Sequence, residues 1–273
     1  MRFAIHGAAD RGIARDGVIE PASPAPLGGA VLHDASVRDI LRLGPWAVDV
    51  DALVCAWRSA APFPHVVIDG FLAPDCLDDV LAILDEEGLT RYEADLYAFD
   101  ATAPEPRTSE MRALRAEWAD KLAPILSRIT GSSVATADLR AYAYRVGDYL
   151  LPHADHQEGL ERRLAFAYYL PTPSDDAGDE AGAAHDADAI GAPDAHMAVA
   201  AGPRESARSL VGGELELYRC RVTNGELADI ESAKLIEARA NRIAIFDVSD
   251  ISLHQVREVL GGLRLSLSGW FYP

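Results

Sequence analysis

The segment Leu150-Leu151-Pro152-His153-Ala154-Asp155 places an imidazole and a carboxylate two residues apart, and Ser252-Leu253-His254-Gln255-Val256 supplies a second imidazole 101 positions later (254 − 153). Arg264 follows ten positions after that (264 − 254). Side chains this distant in sequence act together only if separate strands converge on one pocket. On an extended strand residues i and i+2 share a face, so His153 and Asp155 could both reach one ion. Two histidines and a carboxylate on one side of a metal, with the other positions open, are the donor set of a non-haem Fe(II) oxygenase. The open positions then take a chelating co-substrate and dioxygen.

Taken alone, a His-x-Asp pair is a weak signal in a chain with eight histidines. The bland alternative for His254 is a satisfied core histidine, and for Asp155 a turn or helix cap. His156 is a competing ligand one residue on, and it would point away from Asp155's partners if the segment is extended. A zinc site from His153, Asp155 and His156 has no matching second cluster. His6, His33, His65, His185 and His196 are assigned to surface or packing positions.

Arg264 is the second discriminator. In the run from Gly262 to Phe271, alternation puts Arg264, Ser266, Ser268 and Trp270 on one face and Leu263, Leu265, Leu267 and Phe271 on the other. A guanidinium facing an apolar interior is costly unless an anion meets it. The distal carboxylate of 2-oxoglutarate would be such an anion, held bidentately. Tyr169, on a strand face shared with Arg163, Ala165 and Ala167, could give its hydroxyl to the same group, and Ser266 lies on Arg264's own face. The competing possibility is an ion pair between Arg264 and a protein acid such as Glu216 or Asp247.

The rest of the chain reads as helices followed by strands. Residues 1–30 are rich in Gly, Ala and Pro and are expected to be irregular. A helix over 48–58 carries Val50, Leu53, Val54 and Trp57 at helical intervals, and Pro62-Phe63-Pro64 stops it. His65-Val66-Val67-Ile68 reads as a strand. Pro74-Asp75 opens a second helix that ends at Gly88. A third spans 109–129, with Pro124 expected to kink or split it. From Val134 onward short strands are expected at 138–146, 163–170, 214–218, 234–238, 242–247, 253–259 and 263–272. This order predicts an α+β chain ending in a jelly roll or barrel. The stretch 172–211 is dense in Ala, Asp, Gly and Pro, and is read as a long mobile loop between strands.

Composition narrows the function. The formal charge of −18, from 25 basic and 43 acidic residues, disfavours nucleic acid, which needs Lys/Arg surfaces. The same charge disfavours a membrane, and no apolar run approaches the roughly 20 residues of a spanning helix. Residues 1–20 lack the apolar core of a secretory signal. Cys55, Cys76 and Cys220 are odd in number and lack CxxC spacing, which points to a reducing cytosol and a cytoplasmic location.

Four stretches together resemble the prolyl-hydroxylase branch of the Fe(II)/2-oxoglutarate dioxygenases, most closely the ribosomal prolyl hydroxylases. They are Pro62 through Leu72; Tyr144 through Asp155 with Arg162-Arg163 and Ala165 to Leu170; Gly212-Gly213-Glu214-Leu215 with Leu217-Tyr218; and Asn241-Arg242 through Phe246, His254-Gln255-Val256, Arg264 and Gly269-Trp270-Phe271. The resemblance covers 62–273 and implies a double-stranded β-helix with N-terminal helices packed against it. It divides the chain into an extension with a short helical annex, 1–61, and a dioxygenase domain, 62–273. By position it implies His153, Asp155 and His254 as iron ligands, Arg264 and Tyr169 as 2-oxoglutarate contacts, and Tyr144 as a pocket residue near the metal. Fe(II), 2-oxoglutarate and O2 would be the cofactors, with ascorbate a stimulant.

Two departures concern the substrate. Pro171 stands where a related enzyme often has Asn, in an expanded loop, and the chain has no room for the second, degenerate barrel of the eukaryotic ribosomal enzymes. The expected reaction is hydroxylation of a C–H bond in an amino-acid unit, releasing succinate and CO2. The unit would be a prolyl residue in a protein or peptide, or a free or carrier-bound amino acid. Retention of Asp155 argues against halogenation. The alternatives are a non-catalytic ligand-binding barrel and a cupin-like isomerase or lyase, which usually carries more histidines and would leave Arg264 without a task.

Overall fold

The structure, a computed structural model, describes residues 40–172 and 209–273. The expectations for residues 1–30 and for most of the 172–211 loop lie outside the described residues. Thr172 is buried and Val211–Gly212 already forms a strand, so both ends of that loop belong to the folded body.

All three expected helices form. α1 is Asp51–Ser59 and α2 is Leu77–Glu87, entered through a 3-10 turn at Pro74–Cys76. α3 is Ser109–Thr130, and it runs unbroken through Pro124 where a kink or split was expected. Pro124 is exposed, while Leu122, Ala123, Leu126 and Ile129 are buried against the sheet. That packed face holds the helix together across one lost backbone hydrogen bond. Thr108 caps its start by accepting from the Met111 amide at 3.1 Å, and Gly131 ends it at φ 77°.

Among the described residues there are fourteen strands: β1 His65–Asp69, β2 Thr90–Ala94, β3 Tyr97–Ala101, β4 Thr136–Ala137, β5 Arg140–Tyr144, β6 Tyr149–His153, β7 Leu164–Tyr169, β8 Val211–Gly212, β9 Leu215–Thr223, β10 Glu226–Ile236, β11 Arg242–Asp247, β12 His254–Val256, β13 Val259–Gly261 and β14 Arg264–Tyr272. The β2–β3 hairpin before α3 is absent from the sequence reading. β2 is almost wholly exposed and has no apolar alternation to announce it. The single strand expected over 253–259 is two, β12 and β13. β10 begins eight residues earlier than expected (234 − 226), because its charged, solvated face hides the period.

All strand pairs are antiparallel, in the order β1-β11-β7-β14-β5-β3-β6-β12-β9-β10. The path curls so that its halves face each other. The Phe246 ring on β11 stands 4.6 Å from the His254 ring on β12, and Lys234 on β10 touches His65 on β1 at 2.7 Å. This is the jelly roll that the sequence implied.

Two cores result. One lies between the sheet and the helices and holds Trp118, Phe71, Tyr168, Phe166 and Phe271; Leu41, Val50 and Trp57 belong to it as well. The other lies inside the roll, with Phe63, Ala165, Ala167, Tyr169, Leu215, Leu217, Ala244 and Phe246.

One buried carboxylate orients α3. Glu87, at the end of α2, accepts from the Arg107 amide (2.6 Å), the Thr108 amide (2.9 Å) and the Thr108 hydroxyl (2.7 Å). Burial alone would raise its carboxyl, but these hydrogen bonds outweigh that and hold it below its usual value of 4.5. A depressed carboxylate contributes stability that is complete above the unfolded value and is lost as pH falls through the folded one. Urea midpoints recorded downward from about pH 5 should therefore fall, and Glu87→Gln should flatten that acid limb.

Candidate active site

His153 closes β6 and Asp155 follows two residues later, and β12 opens with His254. The strands β6 and β12 are adjacent, and their register pairs His153 directly with His254. The rings stand 4.3 Å apart between centroids. Asp155 Oδ1 lies 3.7 Å from His153 Nε2, and its Oδ2 lies 3.5 Å from His254 Nε2. One ligand atom from each residue falls within 4.8 Å of the others, which is a spacing that could hold a metal ion.

Local backbone aims both imidazoles. His153 Nδ1 is 2.9 Å from Leu151 O, and His254 Nδ1 is 3.1 Å from Ser252 O. A carbonyl only accepts, so each ring carries its proton on Nδ1 and turns the Nε2 lone pair toward Asp155. Burial and the neighbouring His153 push the His254 imidazole down to about 4, with Asp155 opposing. It is therefore neutral at pH 7, the form that binds metals. His156 does not join this group; its Nδ1 meets Asp250 Oδ1.

Arg264, on β14, is buried inside the roll. Its Nη1 donates to Ser266 Oγ at 3.2 Å, and no carboxylate lies within 4.0 Å among the described residues. Glu216, one proposed partner, accepts from Gln255 Nε2 and sits 3.8 Å from Arg257 instead. The guanidinium carbon stands 4.8 Å from the Tyr144 ring and 5.0 Å from the Tyr169 ring. Arg264 Nε and the Tyr169 hydroxyl are buried without a hydrogen-bond partner among the described residues. Burial raises both phenols, with Arg264 opposing, so they remain protonated donors. Gly213 makes room for the arginine stem, since a Cβ there would stand 3.2 Å from Arg264 Cδ.

Strand register places a slot of small side chains between these two groups. On β7, Ala165, Ala167 and Tyr169 share the inner face; Ala165 pairs with Phe246 and Trp270, Ala167 with Ala244 and Ser268, and Tyr169 with Ser266. The row between the metal level and the Arg264 level is thus Ala244-Ala167-Ser268, all small. Four residues of strand, about 13 Å, separate Ala165 from Tyr169. The space suits a slim molecule with an anionic end at Arg264 and a metal-chelating end at the His-Asp-His group. The donor set, the orphaned polar atoms and the slot fit Fe(II) and a 2-oxo diacid.

The sequence reading gave no role to Arg162 or Trp270. The Arg162 guanidinium carbon lies 3.7 Å over the Trp270 ring, and its Nη1 donates to the Asp155 carbonyl at 3.1 Å. It therefore pins the backbone that carries the carboxylate. Alternation had put Trp270 on Arg264's face, but Arg162 precedes its strand and no periodicity points to it.

Comparison with known proteins agrees with this geometry. Residues 139–272 match the model of the 2OG-Fe(II) oxygenase superfamily. Those residues form a domain of that superfamily. Its members use Fe(II), 2-oxoglutarate and O2. The chain is 32% identical to prolyl 3-hydroxylase OGFOD1 of Xenopus laevis, over 78% of this chain and 35% of that one. It is 31% identical to its Mus musculus counterpart, over 92% and 42%. The chain thus spans well under half the length of these curated relatives. Among solved structures it is similar in fold to a Pseudomonas putida prolyl-4-hydroxylase, with TM-score 0.53, 18% identity, and coverage of 81% of this chain and 97% of that one. A prolyl hydroxylase from Trichoplax adhaerens gives TM-score 0.51 at 14% identity, covering 81% and 87%. Among the described residues no helix is long and apolar enough to cross a membrane.

Proposed function

We propose that this chain is an Fe(II)- and 2-oxoglutarate-dependent hydroxylase of an amino-acid unit, with a prolyl residue in a peptide or protein as the favoured substrate. The observation that carries the reading is the buried Arg264 guanidinium with no protein carboxylate beside it, on the inner face that leads to His153, Asp155 and His254. A buried, unpaired cation is costly, and a bound diacid offsets that cost. The prolyl preference rests on the relatives, which are named for that activity. We take the dioxygenase core to run over 62–273. A cupin-like isomerase leaves Arg264 without a task, and a bare ligand-binding barrel leaves the complete His153–Asp155–His254 set without one.

In this reading His153, Asp155 and His254 hold the iron. Arg264 and Tyr169 hold the far carboxylate of 2-oxoglutarate, Ser266 orients the guanidinium, and Tyr144 backs it with its ring face. Iron with 2-oxoglutarate and dioxygen supplies the insertion of one oxygen atom into a C–H bond as 2-oxoglutarate becomes succinate and CO2. The protein's share is positional. The backbone carbonyls of Leu151 and Ser252 fix both imidazole tautomers, and Arg162 holds the Asp155 backbone. Phe246 and Leu217 exclude water beside His254.

The experiment is Fe(II)-dependent formation of succinate from 2-oxoglutarate, with mass spectrometry of prolyl peptides for the gain of one oxygen. Succinate formation that is indifferent to iron or to its chelation would overturn the reading. Tyr169→Phe should raise the 2-oxoglutarate concentration for half-maximal rate about 10- to 150-fold, the loss of one hydrogen bond to a charged group. Maximal rate should change little, because the hydroxyl lies at the remote end of the slot.

A further inference from the structure

Strand registers place a second polar pair on the wall that carries the metal group. Directly paired residues of an antiparallel sheet project to the same face. On one half of the roll, register gives the row Lys234-Leu217-His254-His153 across β10, β9, β12 and β6. On the facing half it gives His65-Phe246-Ala165-Trp270 across β1, β11, β7 and β14. The rows touch where Phe246 meets His254 and again where Lys234 Nζ meets His65 Nε2 at 2.7 Å. No backbone pairing joins β1 to β10, the two ends of the strand path. Lys234 and His65 therefore close the side of the roll at the level of the metal group.

We propose that Lys234, oriented by His65, is a specificity-determining residue that receives a substrate carboxylate about three residues from the reacting unit. The inference rests on the hydroxylase reading and names a feature of its substrate. Two strand spacings separate Lys234 from His254, about 10 Å, which equals about three residues of extended peptide. His65 is buried, and its Nδ1 is 2.8 Å from Phe63 O. The proton on Nδ1 leaves Nε2 as an acceptor, so Lys234 spends one N–H on the imidazole and keeps two. Burial lowers His65 below its usual value, with Lys234 acting in the same direction, so the imidazole is neutral at pH 7. No carboxylate lies within 4.0 Å of Lys234 among the described residues, although the chain carries 43 acidic residues against 25 basic ones. Lys234 is exposed as a residue while its partner is buried, so its partly buried ammonium is held in one place and still reachable by an incoming anion.

The probe is a set of fluorescein-labelled twelve-residue prolyl peptides in which glutamate, glutamine or lysine is scanned through the four positions on each side of the proline. Anisotropy is read on wild type, Lys234→Met and Lys234→Glu, each loaded with Mn(II) and 2-oxoglutarate without oxygen. Succinate formation with Fe(II) in air is measured separately. At one position about three residues from proline, wild type should prefer glutamate over glutamine by about tenfold or more. Lys234→Met should lose that preference, and Lys234→Glu should turn it toward lysine. The proposal is overturned if wild type shows no glutamate preference at any position, if it binds none of the peptides, or if the preference survives in Lys234→Met. Absence of iron-dependent succinate formation would instead refute the hydroxylase reading. Unchanged 2-oxoglutarate binding and melting temperature in both variants guard against misfolding.

Discussion

Asp155→Ala is expected to abolish iron-dependent succinate formation and to weaken Mn(II) or Fe(II) binding by more than about 100-fold, since loss of even an outer partner of a metal ligand costs 10- to 100-fold. Asp155 is the only anion in the His153–Asp155–His254 group, and its two oxygens face the two Nε2 atoms at 3.7 and 3.5 Å. Without it two imidazoles would have to hold a dication with no carboxylate to compensate its charge. Metal titration by calorimetry reads this directly and does not depend on the substrate. His156→Ala is the control, because its ring is engaged with Asp250 and takes no part in the group. Loss of metal in His156→Ala with retention in Asp155→Ala would reverse the ligand assignment.

How much of this was legible beforehand depends on where the signal lay. His254 and Arg264 were readable because each occupies a strand whose period-2 alternation shows which face it takes, and the His-x-Asp pair because its i, i+2 spacing at the end of a strand lets both side chains reach one ion. Convergence of these strands was implied only by the joint pattern, since spacing alone says nothing of strand order. The register that sets His153 opposite His254 needed coordinates. So did the small row Ala244-Ala167-Ser268, whose members come from three strands and look like ordinary core residues. Arg162 was unreadable for a different reason. It precedes β7, and its contact with the Asp155 carbonyl is made across an irregular loop. The β2–β3 hairpin escaped because its neighbours supply the burial that its own residues do not advertise: Phe99 packs against Tyr142 and Tyr144 at 5.2 and 5.5 Å. His65, assigned to surface or packing, is indeed packed, but against an ammonium 169 positions away.

Arg264→Met should separate binding from folding. The variant loses the charge-assisted hydrogen bonds to the far carboxylate, each worth about 1.5–3 kcal/mol. Two such bonds amount to about 3–6 kcal/mol, so the 2-oxoglutarate requirement should rise at least 100-fold. Stability should move the other way or hardly at all. In the ligand-free protein the guanidinium is buried over the Tyr144 and Tyr169 rings, donates to Ser266, meets no carboxylate among the described residues, and carries an orphaned Nε. Replacing an uncompensated buried charge with an apolar side chain of similar length removes a desolvation cost rather than a stabilising contact. Melting temperature without 2-oxoglutarate should therefore hold or rise, while the increase that 2-oxoglutarate confers on the Mn(II)-loaded wild type should vanish. A structural ion pair predicts the opposite pattern: a fall in ligand-free stability of about 3–5 kcal/mol with little effect on the 2-oxoglutarate requirement. The two outcomes differ in sign on one axis and by orders of magnitude on the other. A single thermal-shift series with and without the diacid distinguishes an arginine kept for a ligand from one kept for the fold.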